Sequence, residues 1–350
     1  MRCTQAIALL ALATMGWLVA PATANADRVL TVVERPTPIR AWGGVGAFSV
    51  YDSIAGVYRL AIAGPAGPPA LAAVAPRTVP FDADVGPDLA MRATIVYSRC
   101  ERERTRLDCD IYRYSAEDGV ESKIAGTDSD AASEFAPSIW RGQVAFVRSI
   151  DARPTAAQRI YVRSLAAPRA RPSRRLSLIA PDKRCAARAI CGAAVEEIEL
   201  YGKRLAANVT YGTGPFGGIC GLKEIQVQTI GRRARRLASQ ICGLSGQSYV
   251  GPSFVGGSLY WARYCGGDPA GCTPSNAGAY RYGLRTGAYA LAGFERDLSG
   301  FSYLGKGQAL EVRVTVNGSG ACGNPPIDAA GDCEIARVDG LRFRAVKPPR

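Results

Sequence analysis

The sequence predicts an all-β protein, folded as a single six-bladed β-propeller of four-stranded antiparallel blades that local disulfides staple. Three observations lead to this fold class. Short strand-like runs recur along the chain at intervals of about fifty residues, no segment of ten or more residues has the apolar period of a capped helix, and the cysteines occur in close pairs.

The first 26 residues have the pattern of a secretory signal peptide. Arg2 precedes an apolar stretch over residues 6–20, and residues 24–26 have the small-x-small pattern of a cleavage site. We predict a signal peptide over residues 1–26, cleaved between Ala26 and Asp27, and a propeller domain over residues 27–350. A retained membrane anchor is the alternative, but the apolar stretch is shorter than the ~20 residues that a bilayer span needs.

Composition limits the chemistry of the chain. Apolar residues make up 47% and charged residues 21%, so a large core can form. Histidine is absent, which excludes Ser-His-Asp and Cys-His catalysis, histidine-ligated zinc and histidine pH sensing. The net charge of +13 comes mainly from arginine, as in proteins of GC-rich genomes. We predict no catalytic residue, no metal site and no cofactor.

Six copies of two phrases define the repeat. The first phrase is a strand whose last residues are 49, 49, 61, 54 and 50 positions apart: Phe48, Tyr97, Phe146, Ala207, Trp261 and Glu311. The second phrase is a strand centred on Arg59, Arg113, Val162, Gln226, Arg281 and Ala336. We predict blades near residues 35–76, 77–128, 129–181, 192–241, 246–293 and 294–350. A β-sandwich explains the strands but not the period, whereas radially packed meanders explain both.

An additional strand precedes the first copy. Residues 29–33 are rich in β-branched side chains and belong to no copy. We predict that residues 27–34 pair with the C-terminal strand and close the last blade, because an unclosed ring exposes a strand edge. The alternative is that this strand begins blade one.

The ten cysteines after the signal form five neighbouring pairs, and we predict five disulfides. Even numbers in exported chains favour disulfides, and metal sites would need C-x-x-C clusters, which are absent. Three of the pairs span the loop between the two phrases of a copy. The predicted pairs are Cys100 with Cys109, Cys185 with Cys191, Cys220 with Cys242, Cys265 with Cys272, and Cys322 with Cys333.

The third copy carries a resemblance to a known repeat. It reads Pro137-Ser138-Ile139, then residues 142–146 as Gly-Gln-Val-Ala-Phe, then Ile160-Tyr161-Val162, and ends at residues 174–177 as Arg-Arg-Leu-Ser. This copy resembles a TolB-type propeller repeat, and degraded copies cover the rest of the chain after residue 26. The resemblance implies a six-bladed ring that often serves as a protein-interaction platform. These motifs describe folding and not activity.

Two acidic groups are candidate sites. Asp82, Asp84 and Asp88 could hold calcium, but no glutamate closes a twelve-residue loop, and a turn at the start of a blade is the favoured interpretation. Glu196, Glu197 and Glu199 could supply the carboxylate pair of a glycosidase. Alternation places Glu197 and Glu199 on one face of a strand, and a solvated edge strand is the favoured interpretation.

Two arginine runs are candidate polyanion sites. They lie between outer strands, where they could neutralise nucleic acid or an anionic wall polymer, or merely protect strand edges, which is the favoured interpretation. Two glycosylation sequons also occur, and we interpret them as chance matches. The runs are Arg232, Arg233, Arg235 and Arg236, and Arg169, Arg171, Arg174 and Arg175; the sequons begin at Asn208 and Asn317.

The favoured function is a secreted, non-catalytic propeller that binds another protein or a cell-envelope polymer, with no membrane span and no nucleic acid partner; we assume a monomer. Two alternatives remain open. One is a carbohydrate-active hydrolase or lyase that uses Asp and Glu, which requires two carboxylates to converge near the central channel. The other is a binder of anionic envelope polymers, which requires both arginine runs on one face of the ring.

Overall fold

The computed structural model describes residues 27–65, 67–127, 132–149, 158–166, 174–176, 193–212, 220–240, 248–264, 277–293, 298–315 and 333–349. The predicted signal peptide, residues 1–26, therefore lies outside the described residues. Within these ranges no helix has the length and apolar character needed to cross a membrane.

The described residues form six antiparallel sheets in chain order, together with one short 3-10 helix, Glu103–Thr105. The strands of the first three sheets are β2 Ile39–Trp42, β3 Val45–Asp52, β4 Val57–Ala63, β5 Ala70–Leu71, β6 Asp84–Pro87, β7 Ala93–Arg102, β8 Leu107–Ser115, β9 Glu121–Lys123, β10 Ser133–Trp140, β11 Gln143–Ser149, β12 Gln158–Ser164 and β13 Arg174–Leu176. The strands of the other three are β14 Ala193–Tyr201, β15 Arg204–Gly212, β16 Cys220–Thr229, β17 Arg235–Gln240, β18 Ser248–Val255, β19 Ser258–Tyr264, β20 Gly278–Gly283, β21 Tyr289–Ala292, β22 Leu298–Gly305, β23 Gln308–Val314 and β24 Cys333–Val338, with β1 Arg28–Val33 and β25 Arg344–Val346 at the two ends of the chain.

The first strand of each sheet is the innermost strand of a blade. β2, β6, β10, β14, β18 and β22 each contact the next in this order, and β22 contacts β2 again, so the six blades close into a ring. Gly86 of β6 and Gly251 of β18 show how tightly these strands approach, since a Cβ atom there would lie 2.0 Å from the Ile139 carbonyl oxygen and 1.8 Å from that of Phe301. Only glycine fits such a contact.

The apolar core lies between neighbouring blades. Side chains from β10–β13 pack with those from β14 and β15 in one cluster, and β15–β17 pack with β18–β21 in the next. The inner strands are covered on both faces, which is why runs such as Val144–Val147 are continuously apolar and fully buried.

The N-terminal strand closes the ring. β1 lies antiparallel to β24, with Val33 opposite Cys333 and Arg28 opposite Arg337, so blade six has the order β22-β23-β24-β1. An ion pair of 2.5 Å between Asp27 and Arg313 of β23 adds to this pairing. Residues 27–34 thus close the last blade as we expected, but their partner is β24 and not the C-terminal strand β25.

The C-terminal strand requires a correction. We assigned residues 294–350 to blade six, but β25 pairs with β21 of blade five, with Tyr289 opposite Val346. Blade five therefore has five strands. The physical reason is that β1 already occupies the outer edge of β24, so the last segment of the chain pairs with the free outer edge of the neighbouring blade.

One predicted disulfide is confirmed in full. Cys100 of β7 and Cys109 of β8 lie directly opposite each other and are bonded. Cys333 is also disulfide-bonded, and Cys220 begins β16. The remaining predicted partners lie outside the described residues, and their pairing stays a prediction: Cys185, Cys191, Cys242, Cys265, Cys272 and Cys322.

Candidate functional site

The ring has two different ends. One end, here the loop face, holds the connections between blades and between the second and third strands, such as residues 72–83 and 103–106. The other end, here the turn face, holds the connections between first and second and between third and fourth strands. Its tight turns include residues 43–44, 88–92, 141–142, 202–203 and 231–234.

A buried charge cluster lies in the central channel. Nη2 of Arg40, on β2, is 3.1 Å from Oε1 of Glu197, on β14, and the Arg40 side chain is only 5% exposed. Blades one and four are opposite each other in the ring, so this ion pair crosses the channel. Burial acts to lower the pKa of Arg40, but Glu197, Glu199 and Asp84 outweigh it and raise that pKa.

Asp84 and Glu199 form a carboxyl pair beside Arg40. Burial raises the pKa of Glu199 well above its ordinary value, and the adjacent Asp84, to which it is hydrogen-bonded, raises it further. Burial also raises the pKa of Asp84, against the opposing effects of Arg40 and of the Ile139 backbone N–H at 2.9 Å. Both shifts favour the protonated form of these carboxyl groups.

β14 is an edge strand of its sheet, as we expected for Glu197 and Glu199, but this edge faces the charged groups of the central channel and is not a solvated outer edge. β14 is the innermost strand of blade four, and the half-buried Glu199 lies beside the buried Asp84 in the channel. Alternation did place Glu197 and Glu199 on one face, toward Arg40. A register shift between Val195 and Glu197 turns the Glu196 side chain away from this face. Its Oε2 accepts a hydrogen bond of 3.0 Å from Lys223 Nζ.

The three aspartates that suggested calcium do not meet. Asp82 bonds to Arg77 at 3.0 Å, Asp84 lies in the channel, and Asp88 accepts backbone N–H bonds on the turn face, including one of 2.9 Å from Arg92. The interpretation as one turn at the start of a blade was wrong for Asp84, which begins β6, while Asp88 lies in the turn between β6 and β7. The described residues contain no group of three metal-ligating side chains.

A cavity of about 320 Å³ opens on the loop face, with Arg40 and Glu197 in its wall. Four prolines form much of the apolar wall, and six other charged side chains are part of the lining. The prolines are Pro36, Pro38, Pro80 and Pro137, and the charged residues farther from the channel are Arg77, Glu103, Arg104, Arg106, Asp82 and Glu196.

The β7–β8 hairpin forms a fixed rim on this cavity. Glu103, in the 3-10 helix, accepts hydrogen bonds from Arg77 Nε at 3.1 Å and from the Thr78 hydroxyl at 2.7 Å. Arg77 also pairs with Asp82. Burial acts to raise the pKa of Asp82, but Arg77 and hydrogen bonds from Ser98 outweigh it and lower that pKa to about 2. With the Cys100–Cys109 disulfide, these bonds hold the rim in place.

Sequence reasoning missed Arg40 and Arg77, whose guanidinium groups organise the channel and the rim. The signal for Arg40 was an arginine inside the short apolar run Ile39–Trp42 at the start of a copy. An arginine in the buried strand of one blade implies a carboxylate in the innermost strand of another, because buried charges occur in pairs.

The structure describes part of the predicted arginine runs and one of the two sequons. Arg232 and Arg233 lie between β16 and β17, Arg174 and Arg175 begin β13, and Arg169 and Arg171 lie outside the described residues. Asn208 is buried and donates its amide to the Tyr249 carbonyl oxygen at 2.6 Å, so the first sequon is not accessible in the folded ring. Asn317 lies outside the described residues.

Known proteins were compared with the chain. No protein-family model and no curated protein matches it. Among solved structures, the α-L-arabinanase of Penicillium chrysogenum complexed with arabinobiose is similar at 8% identity, over 89% of this chain and 98% of that one, with a TM-score of 0.51. A puromycin-hydrolysing peptidase of Mycobacterium tuberculosis is similar at 13% identity, over 91% of this chain and 53% of that one, with a TM-score of 0.50.

The chain is a six-bladed β-propeller. TolB from Acinetobacter baumannii is also similar, at 14% identity over 86% of this chain and 65% of that one, with a TM-score of 0.45. The chain thus spans less than two thirds of the length of TolB and of the peptidase. At these identities the likeness shows the propeller fold alone, and the ring has the six blades that the TolB-type resemblance implied.

Proposed function

We propose that this propeller is an exported, non-catalytic binding module that takes an extended segment of a partner protein into the loop-face cavity. The observation that carries the proposal is that the converging carboxyl groups of the channel are already engaged. Glu197 is bound by Arg40 and by the Gly251 backbone N–H at 3.0 Å. Asp84 is buried, Glu199 is half-buried, and the two carboxyl groups are hydrogen-bonded to each other.

The cavity itself suits a protein segment. Its volume of about 320 Å³ is at the lower end for small-molecule pockets, which are roughly 300–1,000 Å³, and is enough for a few side chains. Proline walls are rigid and lack N–H donors, so they favour apolar side chains. Arg104 and Arg106 are exposed at the rim, where they can pair with acidic groups of the partner.

Export is part of the proposal. The Cys100–Cys109 disulfide is of the kind that persists in oxidising compartments outside the cytosol. It agrees with the signal peptide predicted over residues 1–26, and together they support a secreted or cell-envelope location.

The competing candidate is a carbohydrate-active hydrolase or lyase. Glu196 and Glu197 both line the cavity, and the Glu197 side chain retains 20% exposure. A glycan-cleaving site would use one of them as an acid or base. Glu196 is the better residue to substitute, because replacing Glu197 would also remove the ion-pair partner of the buried Arg40.

The deciding experiment is a cross-linking pull-down from the native cell envelope with the mature protein. We expect the double variant Arg104→Glu and Arg106→Glu to capture at least tenfold less of the partner protein than the wild type does, because the charge of two rim side chains is reversed. The control variant Arg113→Glu and Arg285→Glu changes the net charge equally at exposed positions away from the cavity and should capture normally. A glycan-cleaving activity that Glu196→Gln abolishes would contradict the proposal.

A further inference from the structure

Six exposed cationic side chains lie together on the turn face of blades three and four. In each blade the connection between the third and fourth strands bonds to the first turn: Leu165 N–H to the Gly142 carbonyl at 2.7 Å, and Ile230 N–H to that of Lys203 at 2.7 Å. The two blades also touch, since Nη2 of Arg174 would lie 2.8 Å from a Cβ on Gly231. The six residues are Arg141, Arg174, Arg175, Lys203, Arg232 and Arg233.

None of these six side chains makes an ion pair or a side-chain hydrogen bond within the part of the chain that the structure describes. The described residues of their turns include no aspartate or glutamate. On this end the turns of blade two carry Asp88, Glu117 and Asp118, and Arg92 lies among them, 3.1 Å from Asp88 and 3.4 Å from Asp118. The cluster is therefore a concentrated positive surface with no internal counter-charge.

Exposed apolar side chains lie on the same end. Leu89 and Met91, in the β6–β7 turn, are 67% and 46% exposed. Leu89 packs against the turn at Gly142, next to Arg141. Half-buried Trp140 stands at the end of β10, with its ring centroid 4.1 Å from that of Tyr201, so aromatic rings connect the apolar turn to the cations.

We propose that the turn face docks on the surface of a bilayer rich in anionic phospholipids. The guanidinium groups pair with lipid phosphates, Trp140 and Tyr201 suit the interfacial region, and Leu89 and Met91 enter the boundary of the acyl chains. A soluble polyanion would neutralise the cations but would leave the apolar turn in water. A bilayer accommodates both. The loop-face cavity then faces away from the membrane, toward a partner protein.

Vesicle sedimentation with the mature protein tests the proposal. We expect binding to vesicles of phosphatidylglycerol and phosphatidylcholine, and little binding to phosphatidylcholine alone. The variant Arg232→Gln and Arg233→Gln should weaken binding roughly 30-fold. The variant Arg102→Gln and Arg113→Gln loses the same charge at exposed positions of blade two, outside the six-residue cluster, and should bind as the wild type does. Leu89→Gln should weaken the binding that persists at high salt.

Three outcomes would overturn the proposal. They are equal binding to neutral and anionic vesicles, equal loss in both arginine variants, and binding to soluble polyphosphate with no binding to anionic vesicles. The last result would assign the cations to a soluble polymer. The vesicle experiment is independent of the proposed function, because partner capture depends on Arg104 and Arg106 at the opposite end of the ring.

Discussion

Arg40 holds the central channel together. It is buried, it bonds to Glu197 across the ring, and it lies close enough to Asp84 and Glu199 to act on their charges. Removing one partner of a buried ion pair typically costs about 3–5 kcal/mol, because the other charge stays buried without compensation. Since β2, β6 and β14 belong to three different blades, this one side chain links distant parts of the ring.

The buried carboxyl pair predicts a specific dependence of stability on pH. Because the pKa of Glu199 is raised well above 4.5 in the folded state, the folded protein keeps a proton that the unfolded chain releases. The free energy of unfolding should therefore fall as pH rises above about 4.5. Glu199→Gln should flatten this fall, as measured by urea unfolding across the pH range. The exposed control Glu101→Gln should keep it, and an unchanged slope in Glu199→Gln would show that Glu199 is ionised in the folded ring.

At the scale of the structural elements, the β7–β8 hairpin is fixed from two sides. The Cys100–Cys109 disulfide joins its strands, and Glu103 at its tip bonds to Arg77 and Thr78 of the preceding connection. A rim that is already ordered loses less conformational entropy when a ligand binds. This is a physical reason for placing a disulfide in a hairpin that lies beside the cavity.

Removing the disulfide should measurably lower the free energy of unfolding. The double variant Cys100→Ser and Cys109→Ser should lose roughly 2–3 kcal/mol of unfolding free energy, because a closed loop of about ten residues restricts the unfolded chain by that amount. Urea unfolding under oxidising conditions measures it. Non-reducing peptide mapping of the wild type provides the control, and a variant as stable as the wild type would show that the staple does not stabilise the ring.

At the scale of the whole molecule, both ends of the chain are tied into the ring in different ways. β1 completes blade six along six residues and brings the Asp27–Arg313 ion pair. β25 adds a fifth strand to blade five through three paired residues. The first pairing closes the ring, while the second covers the outer edge of a blade that is already complete.

Deleting the N-terminal strand should therefore lower the melting temperature more than deleting the C-terminal strand does. Deleting residues 27–34 should lower the melting temperature markedly, because it leaves β24 as an open edge and uncouples the first and last blades. Deleting residues 344–350 should lower it less, because the ring stays closed. Differential scanning calorimetry of both proteins measures the effect. Equal melting of the wild type and the first truncation would contradict closure by β1.

The repeats along the chain made it possible to predict the architecture from the sequence. Six copies of two phrases indicated six blades, the close spacing of Cys100 and Cys109 indicated their bond, and the unassigned strand at residues 29–33 indicated closure. Each of these inferences depends on residues that are neighbours in the chain or on a period that repeats along it. Such signals survive in a single sequence.

The tertiary structure alone decided the interior of the site. Glu197 and Glu199 look like solvated residues in their own strand, and only the ring brings Arg40 from the opposite blade to pair with Glu197 and places Glu199 beside Asp84. It also placed β25 on blade five, since β1 had taken the outer edge of blade six, and gathered the cations of two blades on one end. These contacts join residues that are far apart in the chain. They depend on ion pairs between distant blades and on which strand pairs with a free sheet edge. Neither produces a repeating pattern in the sequence.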